Sequence, residues 1–329
     1  MFLIINMKDL NKAQHFTENY KEILYNINFF PKEAVDPFAG SCDLIKYSPN
    51  TMWELYDIDI KNNNVTYSDS LLNPIDYTGK TIITNPPYLA KNKTKEFSEI
   101  FKKYNTDNLY KASILSILNC KNGILIIPIN FFTDEKTKDI RIKFLSTFKV
   151  KYVNYFTYQV FENTTYNICS FYFERGKTDV VEFYNVKEKS SFATVLKEEQ
   201  GYRLGGDFYD SLKDIKPVFS RLTKEKKNYS TNIYVDCLDK RKEKIKAIYK
   251  KEKYVGKNTD RIKATLVCKE QISEEKQRKL IEQFNNFLQN ERNKYNNLIL
   301  TNYRDFGRKR ISLENVYKIF TILYLKLDN

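Results

Sequence analysis

Short apolar runs, each stopped by an acidic or amide residue, recur through the first half of the chain. Ala34-Val35 stops at Asp36, Tyr56 precedes Asp57, and Thr81-Ile82-Ile83-Thr84 stops at Asn85. Gly123-Ile124-Leu125-Ile126-Ile127-Pro128 and the stretch from Ile168 to Phe173 are further runs of strand length. Runs of this kind, bounded by turn residues, predict strands buried on both faces of an α/β sheet. Later in the chain Leu280, Ile281, Phe284, Phe287, Leu288 and Tyr295 recur at helical spacing after Ser273-Glu274-Glu275, which predicts a helix whose stripe is core packing. In an open α/β sheet a ligand sits beyond the carboxyl ends of the strands, so Asp36, Asp57, Asp69 and Asn85 are expected to line one crevice. Each of these taken alone is as readily a solvated loop residue; their shared place at strand ends is what raises them above that reading.

The tetrapeptide Asn85-Pro86-Pro87-Tyr88 follows the third of these runs directly. Neither proline has a backbone N–H, and both have fixed φ, so the loop is expected to present carbonyl oxygens and the Asn85 amide oxygen with no competing donor nearby. Two converging acceptors suit an incoming NH2 group on an aromatic ring, and Tyr88 offers a face on which a planar base stacks. The plain alternative is a turn, because Asn-Pro and Pro-Pro are ordinary turn dipeptides.

With its neighbours the tetrapeptide resembles the catalytic loop of the DNA methyltransferases that use S-adenosylmethionine and modify exocyclic amines, in their adenine-directed (N6) branch of restriction-modification type. The resemblance covers about the first half of the chain, with cofactor motifs ahead of the catalytic motif as in the gamma-type order. Gln14-His15-Phe16-Thr17 is similar to the N-terminal cofactor motif, Asp36-Pro37-Phe38-Ala39-Gly40 to the first-strand loop, and Tyr56-Asp57-Ile58-Asp59 to the acidic end of the second strand. Ser68-Asp69-Ser70 resembles the next loop, Asn108-Leu109-Tyr110 through Ile117-Leu118 the helix after the catalytic loop, and Gly123 to Phe132 the fifth strand. Val160-Phe161-Glu162-Asn163-Thr164-Thr165-Tyr166 resembles the loop on the far side of the target base.

The resemblance implies a Rossmann-like methyltransferase sheet with a C-terminal target-recognition domain. It implies a cofactor, S-adenosyl-L-methionine, held by Phe16, Thr17, Asp36, Pro37, Phe38, Ala39, Gly40, Asp57, Ile58, Asp69 and Ser70. Within that set Asp57 would accept from ribose hydroxyls, Ile58 would lie against the cofactor adenine, Asp69 would accept from its amino group, and Gly40 would let the backbone approach closely. Methyl transfer is then a direct displacement on an adenine rotated out of duplex DNA, with Asn85 Oδ1 and the Pro86 carbonyl accepting the amine hydrogens, and Pro87 and Tyr88 completing the loop. Tyr88 and Phe161 are the expected stacking faces. Many relatives carry a second glycine where this chain has Cys42, and the expectation is that a helix has already begun there, so that a side chain costs nothing.

Composition agrees with that reading. With 329 residues and 42% hydrophobic content the chain suits two domains with real cores. Its five cysteines are scattered, which suggests reduced thiols and a cytoplasmic setting, and its one histidine makes a metal unexpected. Met1 to Ile5 is too short for a signal peptide and no run reaches membrane-spanning length, so no membrane is expected. The formal net charge of +14 is uneven: residues 1–176 carry 21 basic and 19 acidic side chains, residues 177–329 carry 34 and 22. That asymmetry places a cofactor-binding catalytic domain in residues 1–176 and a basic, DNA-gripping target-recognition domain in residues 177–329, although a merely Lys-rich surface has the same composition. Arg221 to Lys227 and Asp239 to Lys244 are basic runs, the second read as a solvated helix face. Arg304, Arg308, Lys309 and Arg310, beside Asn302 and Tyr303, are the expected DNA contacts.

Double-stranded DNA is therefore the expected partner, with a cognate restriction endonuclease acting separately. Two other classes fit parts of the pattern. One is a methyltransferase acting on RNA adenine or protein glutamine, although the glutamine enzymes usually carry an N-terminal helical domain and end soon after the catalytic half. The other is a DNA-binding protein with a vestigial cofactor fold, which has no reason to keep the polar lining of Asp36, Asp57, Asp69 and Asn85.

Overall fold

The computed structural model describes residues 15–327 except 163, 165, 228, 241, 242, 258 and 303–307. The chain divides into two compact units, Met1–Arg203 and Leu204–Asn329. The expected boundary at 176 therefore falls inside the first unit, because two further strands after it continue the same sheet.

The first unit is an α/β sheet. Its parallel part runs in the order β3 (Thr66–Tyr67), β2 (Met52–Asp57), β1 (Glu33–Asp36), β4 (Thr81–Thr84), β5 (Asn122–Pro128). Beyond β5 lies β8 (Ile168–Arg175), antiparallel to it, with β6 (Phe148–Lys149) paired to β8. Then follow β7 (Tyr152–Tyr155), β9 (Val180–Asn185) and β10 (Ser190–Val195). Strand order departs in opposite directions from β1, toward β2 on one side and β4 on the other. Such a switch point opens a crevice at the carboxyl ends of the strands, so Asp36, Asp57 and Asn85 arrive at one edge.

The continuous apolar runs become the central strands because both faces are covered. Ile82, Ile83 and Ile124 to Ile127 are all buried, as are Phe171 and Phe173 on β8. Gly123 sits opposite Ile82 in the parallel pair, where an added Cβ would lie 1.8 Å from the Ile82 carbonyl oxygen; the close approach of β4 and β5 requires a glycine there. Phe131, Phe132, Phe144, Phe148, Phe171 and Phe173 interlock on the sheet largely edge to face, at centroid separations such as 4.9 Å for Phe131–Phe132 and 5.1 Å for Phe144–Phe173.

Arg141, on the helix Lys138–Thr147, is fully buried and anchors the end of this unit. Its Nε donates to Gly201 O at 2.6 Å, and one Nη donates to Phe131 O, Asp134 O and the Thr137 hydroxyl at 2.8–2.9 Å. Gly201 itself has φ +63°, a conformation a side chain would strain.

The second unit pairs β11 (Phe219–Arg221), β14 (Lys263–Cys268), β12 (Ser230–Asp236) and β13 (Lys246–Tyr249) in an antiparallel sheet. The predicted helix forms as Glu274–Lys294, capped by the Ser273 hydroxyl accepting from Lys276 N at 3.2 Å. Leu280, Phe284, Leu288 and Tyr295 are buried, and Phe284 stacks on Phe320 of the helix Leu313–Leu327 at 4.6 Å. Asp239 is part of no helix; it forms a buried bidentate pair with Arg292 at 2.7 and 2.8 Å. The Arg292 guanidinium holds its carboxyl below the usual range against the opposing effect of burial.

Arg141→Ala should lower the unfolding free energy of the protein by about 3–5 kcal/mol, because it leaves a cavity and several buried carbonyls without a donor. Arg141→Lys should recover less than half of that loss, since an ammonium cannot reproduce the planar fork. Urea denaturation of the two variants beside the parent checks both statements.

Candidate active site

The carboxyl ends of β1, β2 and β4 open onto a cleft. Every residue expected to hold the cofactor lines it, from Phe16 and Thr17 through the Asp36–Gly40 loop and Asp57-Ile58 to Asp69-Ser70, together with Asn85 and Pro87. His15, Leu71, Phe97, Ile100 and Leu109 line it as well. Among these, Phe97 and Ile100 carry no sequence signal, because they reach the cleft from the helical segment before the helix Leu109–Ser116 only through packing.

Asp36 ends β1 almost wholly buried. Its Oδ1 accepts from the Thr84 hydroxyl at 2.7 Å and from Phe38 N at 3.1 Å. Burial nevertheless raises its pKa to about 7; the two donors offset part of that effect and the neighbouring Asp57 adds to it. Asp57 ends β2, where Oδ2 accepts from Gly40 N at 2.8 Å and Oδ1 from Asp59 N at 2.9 Å. Burial raises its pKa too, against these two backbone donors. Gly40 has φ +50°, and the Phe16 ring lies 3.6 Å from where a Cβ would stand. Asp69 Oδ1 accepts from Leu71 N and Leu72 N at 3.0 and 2.9 Å, which fixes the turn after β3.

Cys42 corrects one expectation. It does not lie in a helix already begun but precedes the 3-10 turn Asp43–Lys46 with φ +64°. A left-handed conformation costs a non-glycine residue about 1–2 kcal/mol. Its buried side chain packs with Ala39, Leu55 and Val65, which offsets part of that strain.

The Asn85 loop also differs from the expected donor-free arrangement. Asn85 Nδ2 donates to His15 O at 2.7 Å and to the Thr17 hydroxyl at 3.1 Å. Asn85 Oδ1 faces a donor after all, because the Tyr88 hydroxyl donates to it. The same hydroxyl lies 2.6 Å from Ile126 O. Pro86 is buried and Pro87 partly so. The Asn85 amide is thus held in one orientation from both ends, and Oδ1 retains a second lone pair.

Tyr88 and Phe161 do come together, but neither ring presents an open face: they are 1% and 5% exposed. His15 stacks against both, at 4.9 Å and 27° from Tyr88 and at 5.7 Å and 19° from Phe161. Burial lowers the pKa of its imidazole to about 4, with the Tyr88 backbone acting in the opposite sense, so it is neutral at pH 7. Tyr110 and Tyr166 meet Tyr88 edge-on. His15 stands in a recognisable motif, but nothing in its spacing signals a ring contact.

Of the expected DNA contacts, Arg304 lies outside the described residues. Arg308 donates to Asp239 O at 2.8 Å, and Arg310 donates to Arg261 O at 3.2 Å. Lys309 is a correction: its side chain is buried in the second unit, where desolvation and the nearby Arg292 lower its pKa to about 7. A buried ammonium does not reach a phosphate.

The chain matches the N-6 DNA Methylase family over residues 50–247. The chain belongs to that family. Over 162 residues it is 28% identical to the type II restriction enzyme and methyltransferase RM.Eco57I of Escherichia coli, a match covering 44% of this chain and 16% of that protein. A Vibrio vulnificus YJ016 protein assigned as a type I restriction enzyme modification subunit superposes with a TM-score of 0.46 at 12% identity, covering 58% of each chain. The M protein of the type I restriction enzyme EcoKI gives a TM-score of 0.41 at 14% identity, over 54% of this chain and 49% of the other. The chain therefore spans a small part of RM.Eco57I and about half of the modification subunits. Among the described residues of this N-6 DNA Methylase family member, no helix is long and apolar enough to cross a membrane, and no group of three or more His, Cys, Asp and Glu is placed to hold a metal.

Asp36 makes the site pH-sensitive. Its folded pKa of about 7 stands above the ordinary value of 3.8, so the folded state binds the extra proton and stability falls as pH rises between those values. Above pH 7 the cost levels off at about 4 kcal/mol. Asp36→Asn keeps an acceptor for Thr84 and Phe38 and removes the charge. It should raise the Tm at pH 8 by several degrees and change it little at pH 4; equal shifts at the two pH values would exclude a buried carboxylate as the cause.

Proposed function

We propose that the first unit binds S-adenosylmethionine and that the protein transfers its methyl group to the exocyclic N6 amine of an adenine rotated out of duplex DNA, as the modification activity of a restriction-modification system. The observation that carries the reading is the convergence of the Asp36–Gly40 loop, Asp57, Asp69 and the Asn85 loop on one cleft at the switch point of the sheet. Family membership supports the same chemistry.

The cleft fits the cofactor by its donor set. Asp36 is a buried carboxylate whose hydrogen bonds offset only part of its desolvation, which favours a ligand carrying positive charge. Asp57 stands where second-strand acids accept ribose hydroxyls, with Ile58 beside it for an adenine ring, and Phe16 closes over Gly40. Bound there, the cofactor supplies an electrophilic methyl group on a sulfonium.

The chain's own part of the reaction is alignment and electrostatics. Asn85 Oδ1 and the Pro86 carbonyl accept the two amine hydrogens, drawing electron density toward the nitrogen as it attacks. Thr17 and the His15 carbonyl keep the Asn85 amide from flipping, so that oxygen and not nitrogen is presented. A ring stacked against Tyr88 and Phe161 would have its exocyclic amine within reach of this loop.

For the DNA we propose the second unit, in keeping with the basic excess of residues 177–329. Arg221, Lys226, Arg261 and Arg310 line one hollow together with the hydroxyl groups of Ser220, Thr223, Ser312 and Tyr317, a set suited to phosphate oxygens despite Glu225 and Asp260 at the same place. A restriction endonuclease acting separately is the partner this reading implies.

Incubation with S-adenosylmethionine and unmodified duplex DNA, followed by nucleoside digestion and mass spectrometry, should yield N6-methyldeoxyadenosine. Asn85→Ala should lower the single-turnover rate at least 100-fold while leaving cofactor affinity within a few-fold of the parent. Methylation of an RNA or protein substrate in place of DNA would replace the substrate half of the proposal. Substituting Arg221, Lys226 and Arg261 with Ala together should weaken DNA binding and reduce the slope of log Kd against log salt; an unchanged slope would place the phosphate contacts elsewhere.

A further inference from the structure

We propose that His15 is a resident occupant of the planar-ring slot made by Tyr88 and Phe161, and that an incoming nucleobase must displace it before stacking on either ring. The inference rests on the base-stacking part of the function proposed above and adds a step that the stacking pair alone does not contain.

The three ring centroids form a compact triangle with sides of 4.9, 5.7 and 6.4 Å. Tyr88 and Phe161 are tilted 46° to each other, and the imidazole stands at 27° to one and 19° to the other. Its plane thus lies at an intermediate inclination, nearly parallel to both faces, which is the relation a flat base would need. Tyr88 and Phe161 are almost completely covered, and His15 is a ring contact that they share. A base can gain neither face without moving it.

The imidazole is also a poorly satisfied occupant. Among the described residues neither of its buried ring nitrogens makes a well-formed hydrogen bond, although the Tyr88 backbone approaches the ring. Buried polar atoms in native proteins are rarely left so, and where they are the arrangement marks a site held for another purpose. An adenine replaces one aromatic ring by another of larger face and brings an amine that Asn85 Oδ1 can accept, whereas the His15 nitrogens gain nothing where they are. The exchange therefore favours the base once it is presented. His15 O is meanwhile held by Asn85 Nδ2, so the ring can swing out about its side-chain torsions while the backbone stays as the support of the catalytic amide. In the absence of a base the histidine keeps the two aromatic faces dry and prevents their collapse onto each other.

Because the chain has a single histidine, its Cε1–H gives one unambiguous cross-peak in a 1H–13C spectrum. In the parent protein that peak should be shifted upfield by the two neighbouring rings, and saturating a single-stranded oligonucleotide that contains 2-aminopurine should move it to the position of an unstacked imidazole. A peak unmoved at saturation, or absence of any binding by the oligonucleotide, would overturn the proposal. In a second measurement, His15→Ala should bind 2-aminopurine riboside at least threefold more tightly than the parent, read by fluorescence quenching. Adding Phe161→Ala to that variant should abolish the gain. Equal affinity of parent and a folded His15→Ala protein would count against displacement, and a weaker affinity would mean that the base stacks on His15 instead of replacing it. The two proposals fail separately. N6-methyldeoxyadenosine formed while the cross-peak stays fixed at saturating DNA would remove the role of His15 and leave the activity. A displaced histidine with no methylated adenine would leave the slot and remove the activity.

Discussion

The hydrogen bond from the Thr84 hydroxyl to the Asp36 carboxylate joins the ends of the two strands between which the sheet changes direction. The rest of the site is arranged around it. Val35 and Ile82 pair in the parallel ladder one turn of pleat earlier, so the two chain ends leave the sheet side by side, one into the Asp36–Gly40 loop and the other into Asn85-Pro86-Pro87-Tyr88. Asp57 then ties the first of these loops to β2 through Gly40 N, and Ala39 N reaches Tyr56 O at 2.9 Å. The outcome is a cleft whose walls are backbone held in register by three parallel strands, which is more rigid than a site carried on loops alone.

That rigidity has an electrostatic cost. Asp36 and Asp57 are both buried and both raised in pKa, and the charge of Asp57 adds to the rise at Asp36. Dipoles from Phe38 N, Thr84, Gly40 N and Asp59 N compensate in part. Uncompensated negative charge at the bottom of a cleft is destabilising to the protein alone and favourable to a cationic ligand, so the same residues that weaken the fold supply the differential affinity. An Asp at a place where Asn would fold better fits the cationic ligand proposed for this cleft.

What could be read from the sequence followed from period and order. Strand ends at Asp36, Asp57 and Asn85 were legible because buried parallel strands leave continuous apolar runs, and the helix after Ser273 because its stripe has a 3.6 period and a capping hydroxyl. The eleven cofactor candidates came from the motif resemblance, and all of them line one cleft. Features decided by long-range packing were not legible. Lys309 sits in a cationic run, yet it lies on a short strand paired with Thr301–Asn302, close to the charges of Arg292 and Asp239, and its side chain is buried. Cys42 has an ordinary helical neighbour in Asp43, and only the geometry of the turn shows its positive φ. The basic composition after residue 176 suggested a boundary there, but composition does not record that β9 pairs with β7 and extends the first sheet to the segment that Arg141 clasps at Gly201.

The Asn85 loop illustrates how a group proposed to act in catalysis can be both available and stable. An amide placed at a strand end for an external partner would leave buried donors and acceptors unsatisfied, at a cost of about 1–3 kcal/mol each. Here the donor end is satisfied by His15 O and Thr17, and the acceptor end by the Tyr88 hydroxyl, which also has Ile126 O as an alternative acceptor. That alternative matters. A hydroxyl with a second acceptor at 2.6 Å can turn away from Asn85 Oδ1 without losing its hydrogen bond, so both lone pairs of Oδ1 can be released to an amine at little cost. Tyr88 on this argument acts through its hydroxyl as well as its ring, guarding the acceptor until a better donor arrives, and Phe in its place would leave the stack but not the guard.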